Sequence, residues 1–513
     1  MLGEAFGVGQ VIFVCIAVFT WRAFERKSWA NLILSYIINQ YLLWRYHIKS
    51  VDGRQPIPTL PYQFPDGKGS TKFLNGESAS IKWAKQYGPI YRIWTGLTPE
   101  IILTRPSDVK TVYRDSDTHF KAKNANAGWV LGELIGDGVG MQSSSEWKRI
   151  HAVVGPPLSQ KATTYVSLAM SRIESGFAIL EQRCGQNQSV PLHLKPTEDV
   201  NLIAFWVYCD VMYGQLPDKA MNEELLQLID LRDDIWSYTF KGGWSQFSIQ
   251  KHWMPAVRKK IHEFDQRWDI FNDLVYQHLL ASGTKTAPPI LALREAMQEG
   301  RVKRSEVMHS VSEAIFTNIE VTTGSFAWIL LLLAAHPEIQ SELRQEMTEA
   351  RQKGTPEDWN QYLASHSTLL TYCIWESARL RPIANYTYPQ YLPTDRAVGG
   401  YLIPRGTYII VDANALNRRD AAWGPDADQF RPRRYMGKPA SEFRYRLWRF
   451  GFGPRQCPAQ PLADTMLKCL VAHVLGKYRV SIPEVLVNGE EWRHRKPDTW
   501  FSMAANGVLC EEI

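Results

Sequence analysis

Paired-cysteine chemistry is missing from this chain. Its seven cysteines, Cys15, Cys184, Cys209, Cys373, Cys457, Cys469 and Cys510, are odd in number, scattered, and never spaced C-x-x-C. That pattern excludes a disulfide framework and a cysteine-pair zinc site, and it fits a reducing compartment. Charge of one sign is scarce too. A formal +6 over 513 residues is too small a surplus to argue for a nucleic-acid partner. No internal repeat or low-complexity tract interrupts the sequence.

Long apolar runs are few. Ala5 to Trp21 is apolar apart from Gln10 and Thr20, and at ~1.5 Å per residue it is near the short limit for a membrane span. A signal peptide needs basic residues before the run and a small-residue cleavage site after it. Here Arg22, Arg26 and Lys27 come after, and the preceding tail carries only Glu4. The expectation is a single-pass anchor at residues 1–28, with the bulk of the chain on the cytosolic side. A second apolar stretch, Trp29 to Trp44, is broken by Asn31, Ser35, Asn39 and Gln40. It reads either as a membrane-dipping or interfacial helix or as a helix packed on the following domain. Pro56, Pro58 and Pro61 then stiffen the chain. Residues 29–65 are therefore expected to form an amphipathic segment and a proline-rich hinge. Residues 66–513 form the main folded unit.

A 45% hydrophobic content supports a large core. Ile90 to Trp94 and Glu100 to Thr104 predict two strands around the turn Gly96-Leu97-Thr98-Pro99. His119 to Gln142, rich in Gly, Asn and Asp, predicts mostly loop. Met221 to Leu280 predicts two amphipathic helices joined near Lys241-Gly242-Gly243-Trp244. Ser305 to Lys353 predicts a long helical stretch. Within it Phe326 to Ala335 is apolar all round but too short to span a membrane, so it reads as a buried core helix ended by His336-Pro337.

The densest chemistry lies near the C-terminus. Phe450-Gly451-Phe452-Gly453-Pro454-Arg455-Gln456-Cys457-Pro458-Ala459 leads into an apolar helical run from Leu462 to Leu475. A glycine-rich loop thus presents a thiol where a helix begins. The glycines let backbone pass close to a flat ligand. The helix N-terminus and Arg455 both favour a thiolate. A thiolate can ligate iron.

This loop resembles the heme-binding signature F-x-x-G-x-R-x-C-x-G of the cytochrome P450 family, with Ala459 in the last glycine slot. Three further motifs follow the family's order. Trp147-Lys148-Arg149-Ile150-His151 resembles W-x-x-x-R, whose tryptophan and arginine hold a heme propionate; here His151 stands in the arginine slot. Glu376-Ser377-Ala378-Arg379 matches E-x-x-R. Trp423 to Tyr435 matches W-G-x-D-A-x-x-F-x-P-x-R-[FWY]. The resemblance implies a mainly α fold with a small β-rich lobe, and a heme held by Trp147, His151, Phe450, Arg455 and the axial ligand Cys457. It also implies a buried structural cluster of Glu376, Arg379 and Arg434. A guanidinium fork on a carboxylate gives such a cluster direction.

The implied activity is that of a heme-thiolate monooxygenase, fed by NADPH through a reductase, at the endoplasmic reticulum membrane. The texture is closest to fungal enzymes of secondary metabolism. The expected substrate is a mid-sized apolar natural product, to be hydroxylated, coupled or cyclised. A coupling or isomerising enzyme without net oxygen insertion, or a heme-binding sensor, are the rival readings. Arg444, Arg446, Arg449 and Arg455 are expected to offer a basic face to an acidic reductase. By family position the pocket candidates are Phe316, Val321, Ile383, Ala384 and Phe501, and Gln390 occupies a slot where another propionate-binding arginine is expected. Pro458 has no N–H to offer the sulfur, which predicts an electron-rich thiolate.

The family's central-helix motif is [AG]-G-x-[DE]-T-T, whose acid and first threonine help supply protons to dioxygen. Asn318-Ile319-Glu320-Val321-Thr322-Thr323 fits it in two registers. One makes Glu320 the acid and puts Val321 in the threonine slot. The other aligns Thr322 and Thr323 but puts Val321 in the acid slot. The first keeps an ionisable group, so Glu320 is the preferred catalytic residue and Thr322 the second candidate.

Overall fold

The computed structural model describes residues 28–122, 124–184, 191–214, 216, 219–282, 288–352, 354–487 and 490–513. The expected anchor, but for Ser28, lies outside them.

One helix, Arg304–Ala334, serves as the axle of the molecule. Its second half, Phe326 to Leu333, is buried at every position. It packs with helices Ala162–Cys184, Leu369–Leu380 and Gln460–Lys477 in one apolar core. Its first half joins helices Trp129–Ile135, Asn201–Tyr213, Lys219–Trp236 and Pro255–Ser282 in a second core. Each Leu, Ile or Phe sunk this way contributes about 1.5–3 kcal/mol. The helix ends where expected, at His336, and the next helix, Pro337–Gln352, opens on the proline.

The strands are β1 (Ile90–Thr95), β2 (Thr98–Leu103), β3 (Phe120–Lys121), β4 (Leu192–Leu194), β5 (Gln390–Tyr391), β6 (Arg396–Val398), β7 (Tyr401–Ile403), β8 (Tyr408–Val411), β9 (Tyr478–Ser481) and β10 (Val508–Glu512). The main sheet runs β1-β2-β8-β5-β3. β1 and β2 form the expected hairpin, with Ile90 opposite Leu103. β8 lies parallel to β2, with Ile101 opposite Ile409. β6 and β7 make a second hairpin, and β4-β10-β9 a small sheet. The architecture is mainly helical with a small β-rich lobe.

Helix Ser28–Arg45 settles on the lobe by a narrow edge. Ile38 and Leu42 pack against Tyr62 and Trp94. The polar residues that interrupt its apolar sequence have a use. Asn39 Oδ1 accepts from the Tyr62 N–H (2.9 Å), and Ser35 Oγ, one turn earlier, accepts from the Phe64 N–H (2.8 Å). The opposite face, with Leu32, Ile33, Tyr36, Ile37, Tyr41 and Trp44, is exposed. Among the described residues only Arg304–Ala334 is long and apolar enough to cross a membrane. The proline-rich stretch runs as an edge of the sheet. The Leu60 N–H reaches the Arg92 carbonyl (2.9 Å) and the Arg92 N–H the Pro58 carbonyl (2.8 Å). Prolines at 56, 58 and 61 leave the N–H groups of Ile57 and Leu60 free for these bonds, the tolerated placement on an edge.

The stretch His119 to Gln142 is not all loop. Trp129-Val130-Leu131-Gly132-Glu133-Leu134-Ile135 is a helix with five buried side chains. Glycines on both flanks mask its periodicity in the sequence.

Candidate active site

The cysteine loop is fixed from behind. The Cys457 N–H bonds the Phe450 carbonyl (2.8 Å), which closes the loop. Gly453 is left-handed, at φ 72°, and any Cβ there would strike the Tyr113 carbonyl oxygen. This glycine is needed because the loop presses on the protein's own backbone, not only because a ligand is near. Arg449 holds Asp464 at 2.5 Å and so ties the loop to helix Gln460–Lys477.

Behind the loop lies the expected buried cluster. Arg379 grips Glu376 with both prongs, Nε to Oε2 and Nη2 to Oε1, each at 2.8 Å. Arg434 Nε donates to Glu376 Oε1 (2.8 Å), and the Tyr435 hydroxyl donates to Oε2 (3.1 Å). Neither Glu376 nor Arg379 has any exposed surface. A residue that no motif marks carries the cluster to the loop. Asn417 takes the Trp448 N–H on Oδ1 (2.7 Å) and returns Nδ2 to the Trp448 carbonyl (2.9 Å). Its own carbonyl accepts from Arg379 (3.3 Å).

Cys457 has open surface, yet burial pushes its thiol up to about 11, against one N–H donated by Ala459. A side chain hemmed in by protein and still open must face an interior space. The sequence expectation of a thiolate favoured by Arg455 is therefore overridden in the bare chain, because desolvation wins; a metal bound there would deprotonate the thiol outright. Ala459 supplies the amide that Pro458 cannot.

The central helix passes on the other side of that space. Between residues 313 and 325, Ile315, Phe316, Thr322 and Thr323 are buried. Glu313, Ala314, Thr317, Asn318, Ile319, Glu320, Val321 and Ser325 are not buried; of these Ala314, Thr317, Asn318, Val321 and Ser325 recur at i, i+3, i+4, i+7 and i+11, one helical face. The charge of Cys457 reaches Glu313 on one flank of this face and Tyr208 on the other. The cysteine is thus within electrostatic reach of both flanks of this face, on which Val321 lies.

The two proton-supply candidates part company here. Glu320 has open surface, and burial raises its carboxyl pKa, opposed by Arg232. Thr322 is turned away. It is 3% exposed, and its hydroxyl lies 2.6 Å from the Tyr208 hydroxyl of helix Asn201–Tyr213. Phe316 also leaves the pocket set. It sits 2% exposed in an aromatic stack with Phe205, Phe264 and Trp268, because its helical phase points at the neighbouring helices. Ile383 and Ala384 are half-buried. The Ile383 carbonyl accepts from the Ser502 N–H (2.7 Å), next to Phe501. Gly324 lets Ile383 and Met503 close on the central helix. Phe501 stacks on Trp500 (4.9 Å), and Trp500 gathers Phe73, Trp236 and Phe240 around it.

A heme needs cations for its two propionates, and unsatisfied ones are present. Arg455 lies over the Trp147 ring (5.0 Å) and donates Nη2 to the Gln142 carbonyl (2.5 Å), but its Nε and Nη1 are buried with no partner among the described residues. Lys121, which the sequence reading passed over, has its ammonium above the Tyr388 ring (5.3 Å). Burial first, and Arg455 next, push it down to about 7. Glu313 is the acid that acts on both, and burial raises its own carboxyl pKa; two cations beside a single acid favour further anions, so the residues fit the propionates. His151 does not take the arginine's place. Its ring packs on Trp147 (4.7 Å), and burial and Arg455 both lower its pKa, which leaves it neutral near pH 7. Gln390 is buried in β5, and its Nε2 has no close hydrogen-bond partner among the described residues. Phe450 is half-buried beneath the Arg449 guanidinium (4.9 Å). Bound heme would be held by Cys457, Arg455, Lys121 and Trp147, and would supply oxygen activation at its iron.

This cradle yields a measurable expectation. Arg455→Leu and Lys121→Leu should each lower heme occupancy of purified protein, Arg455→Leu more severely, while His151→Leu leaves it nearly unchanged. The ratio of heme absorbance to protein absorbance reads all three.

The expected basic face breaks up. Arg449 is paired with Asp464, Arg446 with Asp420 (3.2 Å), and Arg455 points inward. Only Arg444 is exposed.

Residues 71–491 match the family description Cytochrome P450. The chain is 44% identical over 509 residues to the cytochrome P450 monooxygenase roqR of Penicillium rubens, covering 98% of each chain. It is 38% identical over 473 residues to aclC of Aspergillus oryzae, covering 92% of this chain and 95% of that one. It is 33% identical over 486 residues to gliC of Aspergillus fumigatus, covering 94% of each. Both are also cytochrome P450 monooxygenases. Among solved structures, a zebra fish cytochrome P450 with progesterone superposes with a TM-score of 0.66 at 18% identity, over 85% of this chain and 99% of that one; this likeness bears on the fold alone. A thiol facing an interior space, unpaired cations where propionates belong and full-length fungal relatives agree: the chain belongs to the cytochrome P450 family, a heme-dependent monooxygenase that draws electrons from NADPH through a reductase.

Proposed function

We propose that this enzyme oxidises a mid-sized apolar natural product in a secondary-metabolite pathway, by hydroxylation or by oxidative coupling or cyclisation, and that the Thr322 hydroxyl does not relay protons there. Glu320, through water, or a polar group of the substrate itself, takes that role. The observation that carries the reading is Val321 on the partly exposed stripe of the central helix while the Thr322 hydroxyl is committed to Tyr208. Aromatic side chains at Phe73, Trp236, Phe240, Trp500 and Phe501 favour an apolar substrate. Val321→Thr tests it. Turnover of the true substrate should stay nearly unchanged, while peroxide released with analogues lacking the assisting polar group falls. A large gain in turnover of the true substrate would sink the proposal. Labelled dioxygen, followed into the product by mass, separates insertion from coupling.

The same reading places the enzyme at the endoplasmic reticulum, anchored once by residues 1–28 with the catalytic domain cytosolic. The exposed face of helix Ser28–Arg45 supports contact with a lipid surface. Exposed Ile249 and Trp253 extend that apolar surface, and Trp244 of the same segment meets Phe64 edge-on (5.8 Å).

A further inference from the structure

Arg232 is a buried cation without a counterpart. It belongs to helix Lys219–Trp236 and is 4% exposed. Its guanidinium lies between two rings, 4.9 Å from Trp236 and 5.1 Å from Phe316. Nε and Nη2 have no hydrogen-bond partner among the described residues. The third nitrogen reaches Asp233 only at 4.0 Å, and that side chain, like Glu320, has open surface in surroundings that raise its pKa. Arg379, equally buried, has a partner for every nitrogen. Buried N–H groups of a charged fork left empty are costly, and such groups in a native protein ask for an acceptor from outside the chain.

Position says which acceptor. The Trp236 ring is stacked toward Trp500 (6.1 Å), within the aromatic group that includes Phe501. Glu320 of the central helix, which has open surface, also acts on the charge of Arg232, and no hydrogen bond joins the two among the described residues. A second anion would meet Glu320 and Asp233. A neutral oxygen would meet only the two free N–H groups. Resting on the reading of the cavity as the seat of an apolar substrate, we propose that the Arg232 guanidinium anchors a neutral carbonyl oxygen of the substrate. The substrate is then an apolar, carbonyl-bearing molecule, held at its carbonyl beside Glu320 and packed on the aromatic side chains elsewhere.

The test uses the heme-loaded, full-length enzyme and a matched set of probes: butylbenzene, 4-phenylbutanamide and 4-phenylbutanoate. Dissociation constants come from the shift of the heme absorbance on binding. The native enzyme should prefer the amide to the hydrocarbon by roughly tenfold, the equivalent of about 1.4 kcal/mol, with the carboxylate no tighter than the amide. Arg232→Met should erase the amide preference and leave the butylbenzene constant alone. Arg232→Lys, which keeps the charge but loses the fork, should reduce the preference, and it decides the matter if the methionine variant fails to fold. An amide-to-hydrocarbon ratio that is the same in native and variant enzyme overturns the proposal while the apolar reading stands; water or Glu320 would then be the partner of Arg232. A carboxylate that binds tightest and loses most in the variants overturns it in favour of an anion site. Failure of all three probes to bind the native enzyme overturns both the anchor and the apolar reading.

Discussion

Arg379→Leu is expected to destabilise the protein by about 3–5 kcal/mol, the usual result of stripping one partner from a buried ion pair. Glu376 would keep Arg434 and Tyr435, but it would lose a two-pronged contact in a place with no water. The damage should also travel. Arg379 holds the Asn417 carbonyl, and Asn417 clasps the backbone of Trp448 at the root of the cysteine loop. Denaturant unfolding measures the first effect and heme retention the second. The double variant Glu376→Met with Arg379→Met should lose less stability than the two single variants added together, since it leaves fewer unpaired charges. Full additivity would mean that the pair is not coupled.

Contacts of this kind separate what a sequence states from what it hides. The loop around Cys457, the Glu376–Arg379 pair and the β1–β2 hairpin are local patterns, in which spacing alone brings the groups together. Phe326 to Leu333 is apolar on every side, so its burial follows from composition. Asn417, Lys121 and Arg232 belong to no such pattern. Each matters because of what a distant segment does: Asn417 because Trp448 passes it, Lys121 because Arg455 faces it, Arg232 because Phe316 and Glu320 close over it. The wrong pocket residue and the dissolved basic face have the same origin. Helical phase, which needs the neighbours to be fixed, turns Phe316 outward to its aromatic stack. Partners some 15 and 26 residues away, at Asp464 and Asp420, neutralise Arg449 and Arg446. The double fit of the central-helix motif is another instance. Each register matches two letters of the motif; the distinction between Glu320 and Thr322 lies in a partner more than a hundred residues earlier, Tyr208, which takes the Thr322 hydroxyl.

That distinction makes the largest kinetic prediction. Glu320→Ala should slow turnover by roughly 10²–10⁴-fold, the range for a positioned proton donor. Glu320 has open surface, and burial raises its pKa, so it holds its proton at a higher pH than an ordinary carboxyl, as the proposed donor must. Glu320→Gln should be nearly as slow, since it keeps shape and loses the proton, while heme occupancy and unfolding midpoint stay close to native in both. Thr322→Val should behave in the opposite way. Its hydroxyl is buried against the Tyr208 hydroxyl, so the substitution strands a buried polar group at a cost of about 1–3 kcal/mol and leaves turnover of the folded enzyme near native. Steady-state turnover per heme, measured beside an unfolding curve, distinguishes the two residues. Should Thr322→Val abolish turnover while Glu320→Ala does no harm, Val321 is not the residue over the reacting centre, and proton supply through Glu320 falls with it.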